Sequence, residues 1–348
     1  MTTEVLVRTE GAAGVLSLNR PKAIHALTRG MVTAMTAALL AWRDDPAVAV
    51  VLIDHAEGRG FCAGGDVTLL RESALNDGGA AGRRFLFDEY RLNHLIMTYP
   101  KPVVAFMDGI TMGGGVGISG PARFRVATPN TRLAMPETGI GLFPDVGGGW
   151  YLSRLAGRLG QYLALTAARL DGAECCWAGL TTHYLPAEAL AEAKTQIGAE
   201  PAALEAILAA LAAPLPEPRI AAHAAEIARL FAADRLEDVL AALAAEDSDF
   251  ARATLATIAT KSPQACKVSL RQLATGATLP DFAANMAMEY RIGSRTLILP
   301  DFAEGVRALL VDKDNAPRWN PLTAEAVGDD LIDAIFAPLA PNEEWTPL

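Results

Sequence analysis

Apolar and polar positions in the first half of the chain fall into short runs separated by glycine-rich punctuation. Residues 5–8 and 14–18 are strand-like, with Glu10 and Gly11 between them, and predict a hairpin. From residue 25 to residue 43 the period changes. Leu27, Met31, Met35 and Leu39 recur at helical spacing, the stripe of an amphipathic helix. Thr28 is placed to cap it, and Pro46 lies just past its end. Residues 47–53, AVAVVLI, form an unbroken apolar run of the kind found in strands covered on both faces. Residues 89–97 read as the end of another helix. After Lys101 and Pro102, a second apolar run at 103–107 predicts a further short strand.

The second half has a different texture. From about residue 186 to 245 Ala, Leu and Glu dominate and β-branched residues are few, which favours helix. Pro214, Pro216 and Pro218 mark a connection between helices. Helical texture continues over 250–273 and 282–299, and no long-period repeat is present. No run approaches the roughly 18 apolar residues of a spanning helix. The opening decapeptide carries Glu4 and lacks the apolar centre of a secretion signal. The expectation is a cytoplasmic protein that does not enter membranes.

Composition narrows the function classes. A length of 348 residues fits two domains, or one large one, at roughly 150 residues per domain. A chain that is 51% hydrophobic and 20% charged is not disordered. Thirty Lys and Arg against forty Asp and Glu give a net charge of −10, without the basic footprint that nucleic-acid binding needs. A few local donors can still hold an anionic small molecule. Cys62, Cys175, Cys176 and Cys266 form no CxxC pair and read as reduced thiols. The five histidines show no metal-ligand spacing, so no metal is expected.

Three glycine-rich segments carry candidate chemistry. Residues 58–66 read GRGFCAGGD and residues 108–120 read DGITMGGGVGISG, each after an apolar run. Glycine allows close approach of backbone to a ligand. Two such loops can each offer one backbone N–H to a single oxygen, the geometry of an oxyanion hole. Either loop alone reads better as a packing turn, since glycine runs are poor motifs by themselves. Neither matches a phosphate loop or a dinucleotide fingerprint. Residues 135–149, MPETGIGLFPDVGGG, place Glu137 and Asp145 eight positions apart in apolar surroundings. Such surroundings raise a carboxyl pKa toward a range useful for acid–base work. The competing reading makes Glu137 a turn carboxylate after Pro136 and Asp145 a helix cap after Pro144. The residues alone leave both readings open.

Taken in order, FCAGGD, MGGGVG and PETGIGLFPDVGG resemble the crotonase (enoyl-CoA hydratase/isomerase) superfamily, most closely its 3-hydroxyisobutyryl-CoA hydrolase branch. SPQACKVSLRQL at 262–273, the run Glu289, Tyr290, Arg291, and DFAEGVRALLVDKDNAPRWNP at 301–321 extend the resemblance to the C-terminal region. The fold it implies is α/β, a crotonase-type spiral of ββα units with a helical C-terminal region. Residues 1–190 would form the spiral and its active site. Residues 191–348 would cover that core and contribute to assembly, possible as a homo-oligomer.

The substrate implied is an acyl-CoA thioester, with CoA as part of the substrate and no separate cofactor. The N–H groups of Gly65 and Gly114 would hold the thioester oxygen. Ala63 and Gly64, with Lys22 and Ala23 of the RPKAIHA segment, would contact the CoA portion. Glu137 matches the second of two glutamates that hydratases use, whereas Gly117 stands where the first would be. Asp145 matches the hydrolase branch, and Glu89 fits an acid that this branch carries on the helix before the Lys-Pro strand.

The activity implied is hydrolysis of a short 3-hydroxyacyl-CoA, as in valine catabolism. Glu137 would activate water or attack directly. Asp145 would assist thiolate departure or bind the 3-hydroxyl, and Glu89 would contact that hydroxyl too. The alternatives are an enoyl-CoA hydratase/isomerase of the same fold and a non-catalytic acyl-CoA-binding protein.

Overall fold

The N-terminal hairpin forms where the pattern places it, in a computed structural model that describes residues 3–348. Strand β1 (Val5–Glu10) pairs antiparallel with β2 (Ala13–Leu18), and Glu10 opposite Ala13 leaves Gly11 and Ala12 as the turn. Gly11 has a φ of +59°, which a turn this tight requires. Each later apolar run then adds a parallel strand. Strand β3 (Val50–His55) lies beside β2, and a short β4 (Gly60–Cys62) follows it. Strand β5 (Val103–Met107) pairs with β3, and β6 (Ile110–Met112) pairs with β4. Strand β7 (Phe124–Ala127) pairs with β5, and β8 (Arg132–Ala134) with β6. The two-residue strands β9 (Leu170–Asp171) and β10 (His183–Tyr184) close the edges. Each turn of the spiral thus gives one strand to a six-stranded sheet and one to a four-stranded sheet.

Strand alternation divides the larger sheet into two buried faces. Val15, Val50, Leu52, Val104, Phe106 and Val126 pack under the helices Leu190–Ala199 and Leu204–Ala210. Leu16, Val51, Ile53, Ala105 and Met107 face the main core, with helices α1 (Arg29–Arg43), α2 (Val67–Asn76) and α3 (Ala80–Met97). Fully burying one such aliphatic side chain stabilises by about 1.5–3 kcal/mol.

Helix α1 carries the expected stripe, with Met31, Met35 and Leu39 buried, and the Thr28 hydroxyl accepts from the Met31 N–H at 3.2 Å. It begins later than its periodicity predicts. Ile24 and His25 have left-handed φ of 46° and 55°, and the Leu27 N–H donates to the Gly64 carbonyl at 2.7 Å. Residues 24–27 are therefore strapped to the first glycine loop, and this pairing outcompetes another helical turn. Helix α2 went unpredicted.

The C-terminal part is helical. Helices Pro263–Gly276 and Phe282–Thr296 pack back onto the first half, the latter on α3. Among the described residues, no helix is long and apolar enough to cross a membrane.

Candidate active site

Adjacent pairing of β4 and β6 brings the loops that follow them side by side. The second loop runs into helix α4 (Gly114–Ser119). Side chains are excluded where the loops meet. A Cβ on Gly114 would lie 2.6 Å from Glu89 Oε1 and 3.0 Å from the Gly65 nitrogen. On Gly113, which has a φ of +48°, it would lie 2.8 Å from Glu137 Oε1. Among the described residues, no backbone carbonyl accepts the Gly65 or Gly114 N–H. The rest of the first loop is tied down. Ala63 N–H donates to the Ile24 carbonyl at 2.8 Å, and Asp66 N–H to the Leu27 carbonyl at 2.9 Å.

The loops border a cavity of about 200 Å³ into which three acids project. Glu89 comes from α3, Glu137 opens the single 3-10 turn Glu137–Ile140, and Asp145 lies on the loop beyond. Their exposures are 2%, 5% and 6%, so all three are cut off from bulk water. The remaining wall is glycine, proline and apolar side chains, and it contains no Lys, Arg or His. Burial, and then the nearby Asp145 charge, hold Glu89 and Glu137 well above the ordinary carboxylate range. Burial also raises Asp145, to about 6, against the lowering pull of a hydrogen bond from the Tyr90 hydroxyl. Glu89 Oε1 and Glu137 Oε2 have no hydrogen-bond partner. Buried oxygens without a partner call for an explanation, and for two that line a cavity a bound substrate supplies one.

The helix-cap reading of Asp145 fails. Helix α5 (Gly148–Leu152) is capped by Gly147, and the Asp145 side chain turns instead to Tyr90. Gly117 is closed to any acid, because a Cβ there would lie 2.6 Å from the Val146 Cβ. The second glutamate of the cavity arrives from α3 instead.

Of the residues singled out in the sequence, Ala63, Gly64, Gly65, Glu89, Gly114, Glu137 and Asp145 all line this cavity. Lys22 and Ala23 do not. They occupy the single turn Pro21–Ala23, with Lys22 exposed, while flanking residues tie to the first loop through backbone bonds at Ile24 and Leu27 and through the Arg20–Asp66 ion pair. Sequence reasoning missed Tyr90, and also Leu309 and Leu310, which close one side of the cavity. Among the described residues, no group of three His, Cys, Asp or Glu is arranged to hold a metal ion.

The pattern of the enoyl-CoA hydratase/isomerase family matches residues 13–336. The chain belongs to this family. Within it, the chain is similar to the mitochondrial 3-hydroxyisobutyryl-CoA hydrolase of Xenopus tropicalis, at 42% identity over 98% of this chain and 90% of that protein. A probable 3-hydroxyisobutyryl-CoA hydrolase of Arabidopsis thaliana is 36% identical over 99% of this chain and 94% of its own. Among solved structures, a carnitinyl-CoA dehydratase from Mycobacterium thermoresistibile superposes with a TM-score of 0.94 at 44% identity, covering 99% of both chains. The crotonase fold expected of a family member, with its helical C-terminal region, is the fold the chain adopts.

Proposed function

We propose that this protein hydrolyses the thioester of a short 3-hydroxyacyl-CoA, with 3-hydroxyisobutyryl-CoA as the first candidate. The observation that carries the reading is the pairing, in one small cavity, of two backbone N–H groups free of backbone partners with three buried carboxyl groups. Hydrolase names among relatives at about 40% identity support it.

The thioester oxygen accepts from the N–H groups of Gly65 and Gly114. Those bonds strengthen as the carbon becomes tetrahedral and the oxygen gains charge, an effect worth about 3 kcal/mol per donor. Glu137, once ionised, takes a proton from the attacking water and returns it to the departing sulfur. The C–S bond breaks, and the products are the free acid and CoA thiol. In the direct route, Glu137 attacks the carbonyl carbon, the C–S bond breaks as CoA thiolate leaves, and water adds at the Glu137 carbonyl of the resulting anhydride to free the acid. A single turnover in isotopically heavy water separates the two, because only the anhydride route labels the Glu137 carboxyl. Asp145, the acid with a donor beside it, accepts from the 3-hydroxyl. Glu89, kept neutral by burial, donates to the same hydroxyl.

The deciding experiment is Glu137→Gln, assayed with purified protein on a panel of acyl-CoA thioesters with free-thiol readout. Undiminished CoA release would remove Glu137 from the chemistry. One observation favours a second reading, hydration of an enoyl-CoA. Glu89 beside Gly114 restores a pair of glutamates to the cavity that Gly117 denies it. Robust loss of enoyl absorbance on crotonyl-CoA would select that reading. The reducing compartment implied by four free cysteines fits the cytoplasmic expectation, although the vertebrate relatives are named as mitochondrial. Assembly into a homo-oligomer belongs to the same proposal and is read by sedimentation.

A further inference from the structure

Glu289 sits far from the cavity in sequence, on the helix Phe282–Thr296, and is fully buried. It takes four N–H donors. Its Oε2 accepts from Gly147 N–H at 2.7 Å. Its Oε1 accepts from Gly149 N–H at 2.8 Å, Asn285 Nδ2 at 2.9 Å and Gln272 Nε2 at 3.0 Å. Gln272, on the helix Pro263–Gly276, also donates to the Pro144 carbonyl at 2.7 Å. The backbone is therefore gripped immediately before Asp145 and two residues after it.

That grip holds a turn the chain would not adopt unaided. Val146 has a φ of 52° and Gly147 a φ of 97°. A β-branched residue at positive φ is a true outlier and persists only where its surroundings fix it. The ordinary job of a helix cap does not account for Glu289, because it reaches helix α5 from another helix and bonds the cap residue itself. The two amides that donate to it are completely buried, and each leaves its own oxygen without a partner. The amides are thus committed to the carboxylate at the expense of their oxygens.

We propose that Glu289, with Gln272, is a positioning residue that sets the place of the Asp145 carboxylate by clamping the strained turn at Val146 and Gly147. The proposal rests on Asp145 taking part in the reaction as set out above. Neither Glu289 nor Gln272 lines the cavity, so both act through the loop rather than on the substrate.

A double-mutant cycle tests this. Glu289→Gln puts an amide where four donors converge and loosens the turn. Displacement of a reacting group by about 1 Å can lower turnover by about 100-fold. The expected result is a fall in kcat of at least about tenfold with little change in KM, in protein whose circular dichroism is unaltered at the assay temperature. In the Asp145→Asn background the same change should have almost no further effect, since groups that act as one unit are not additive. A Glu289→Gln loss that persists in full beside Asp145→Asn would overturn the proposal, as would a loss carried entirely by unfolded protein. A normal kcat for Asp145→Asn alone would instead overturn the role given to Asp145, so the two failures are distinct. Gln272→Leu removes the donor to Pro144 without emptying the core. It keeps the test available if Glu289→Gln does not fold, and the same non-additivity is expected of it.

Discussion

The Tyr90 hydroxyl donates to Asp145 Oδ2 across 2.8 Å inside the protein, and this one bond separates Asp145 from the other two acids of the cavity. Glu89, one residue earlier on the same helix, has an oxygen with no partner. Three carboxyl groups without a cation in the wall cannot all be ionised together. The hydroxyl settles which of them ionises first. Removing it with Tyr90→Phe should raise Asp145 above its value of about 6. The lower of the two acidic inflections in the kcat/KM profile, the one that belongs to Asp145 rather than to the base Glu137, then moves to higher pH, and the variant loses about 1–3 kcal/mol of stability through the unsatisfied acceptor. A pH–rate series on both proteins reads the shift, and superimposable limbs would show that Asp145 does not depend on Tyr90.

The buried acids also tie stability to pH. Folding raises the Glu89 and Glu137 carboxyls well above the unfolded value of about 4.3. The folded state then holds protons that the unfolded state releases. The associated stability is present in full below the unfolded pKa and drains away as pH rises through the folded one. Glu89→Gln cannot ionise. It should melt higher than the native protein at pH 7 and above, with the gain vanishing near pH 4. Thermal melts across that range check the sign, and a uniform shift at every pH would contradict it. Loss of activity alongside higher stability is the expected trade at such a site.

Gly114→Ala tests the meeting of the two loops. Its methyl group would fall 2.6 Å from Glu89 Oε1 and 3.0 Å from the Gly65 nitrogen, in the space assigned to the thioester oxygen. CoA release should drop by at least about 100-fold, the scale of losing one oxyanion donor. A spectroscopically normal fold with native turnover would displace the oxygen from this position.

Local punctuation made Glu137 and Asp145 stand out, with Pro136 and Pro144 before them and glycines after, but it left their role open, and only the family resemblance chose between the readings. The strands at Val50–His55 and Val103–Met107 were legible because unbroken apolar runs have few other uses in a short segment. What escaped has no local signature. Leu27 reads as helical, yet it is held by backbone bonds to Gly64 and Asp66 that leave no mark on residue type. Glu289 answers to Gly147 and Gly149 across 142 and 140 positions of sequence, and nothing beside it announces the pairing. Strands β9 and β10 are two residues each, too short for alternation to appear.

The helical layer over the large sheet is tied to it by a part-buried ion pair. Lys194 Nζ, on the helix Leu190–Ala199, lies 2.6 Å from Asp54 Oδ2 on β3, and Ser17 of β2 donates to the same carboxylate. The Asp54 side chain is 5% exposed and that of Lys194 is 29% exposed, so solvent screens the pair only in part. Lys194→Met keeps the aliphatic stem but leaves the carboxylate with a single donor. Breaking a pair of this kind from one side costs about 3 kcal/mol. Adding Asp54→Asn removes the stranded charge while keeping an oxygen for Ser17, so the double variant should recover a large part of the loss. Urea denaturation of the four proteins measures both terms. If the double variant is no more stable than Lys194→Met, the cost lies in lost packing of the lysine stem rather than in the unpaired charge.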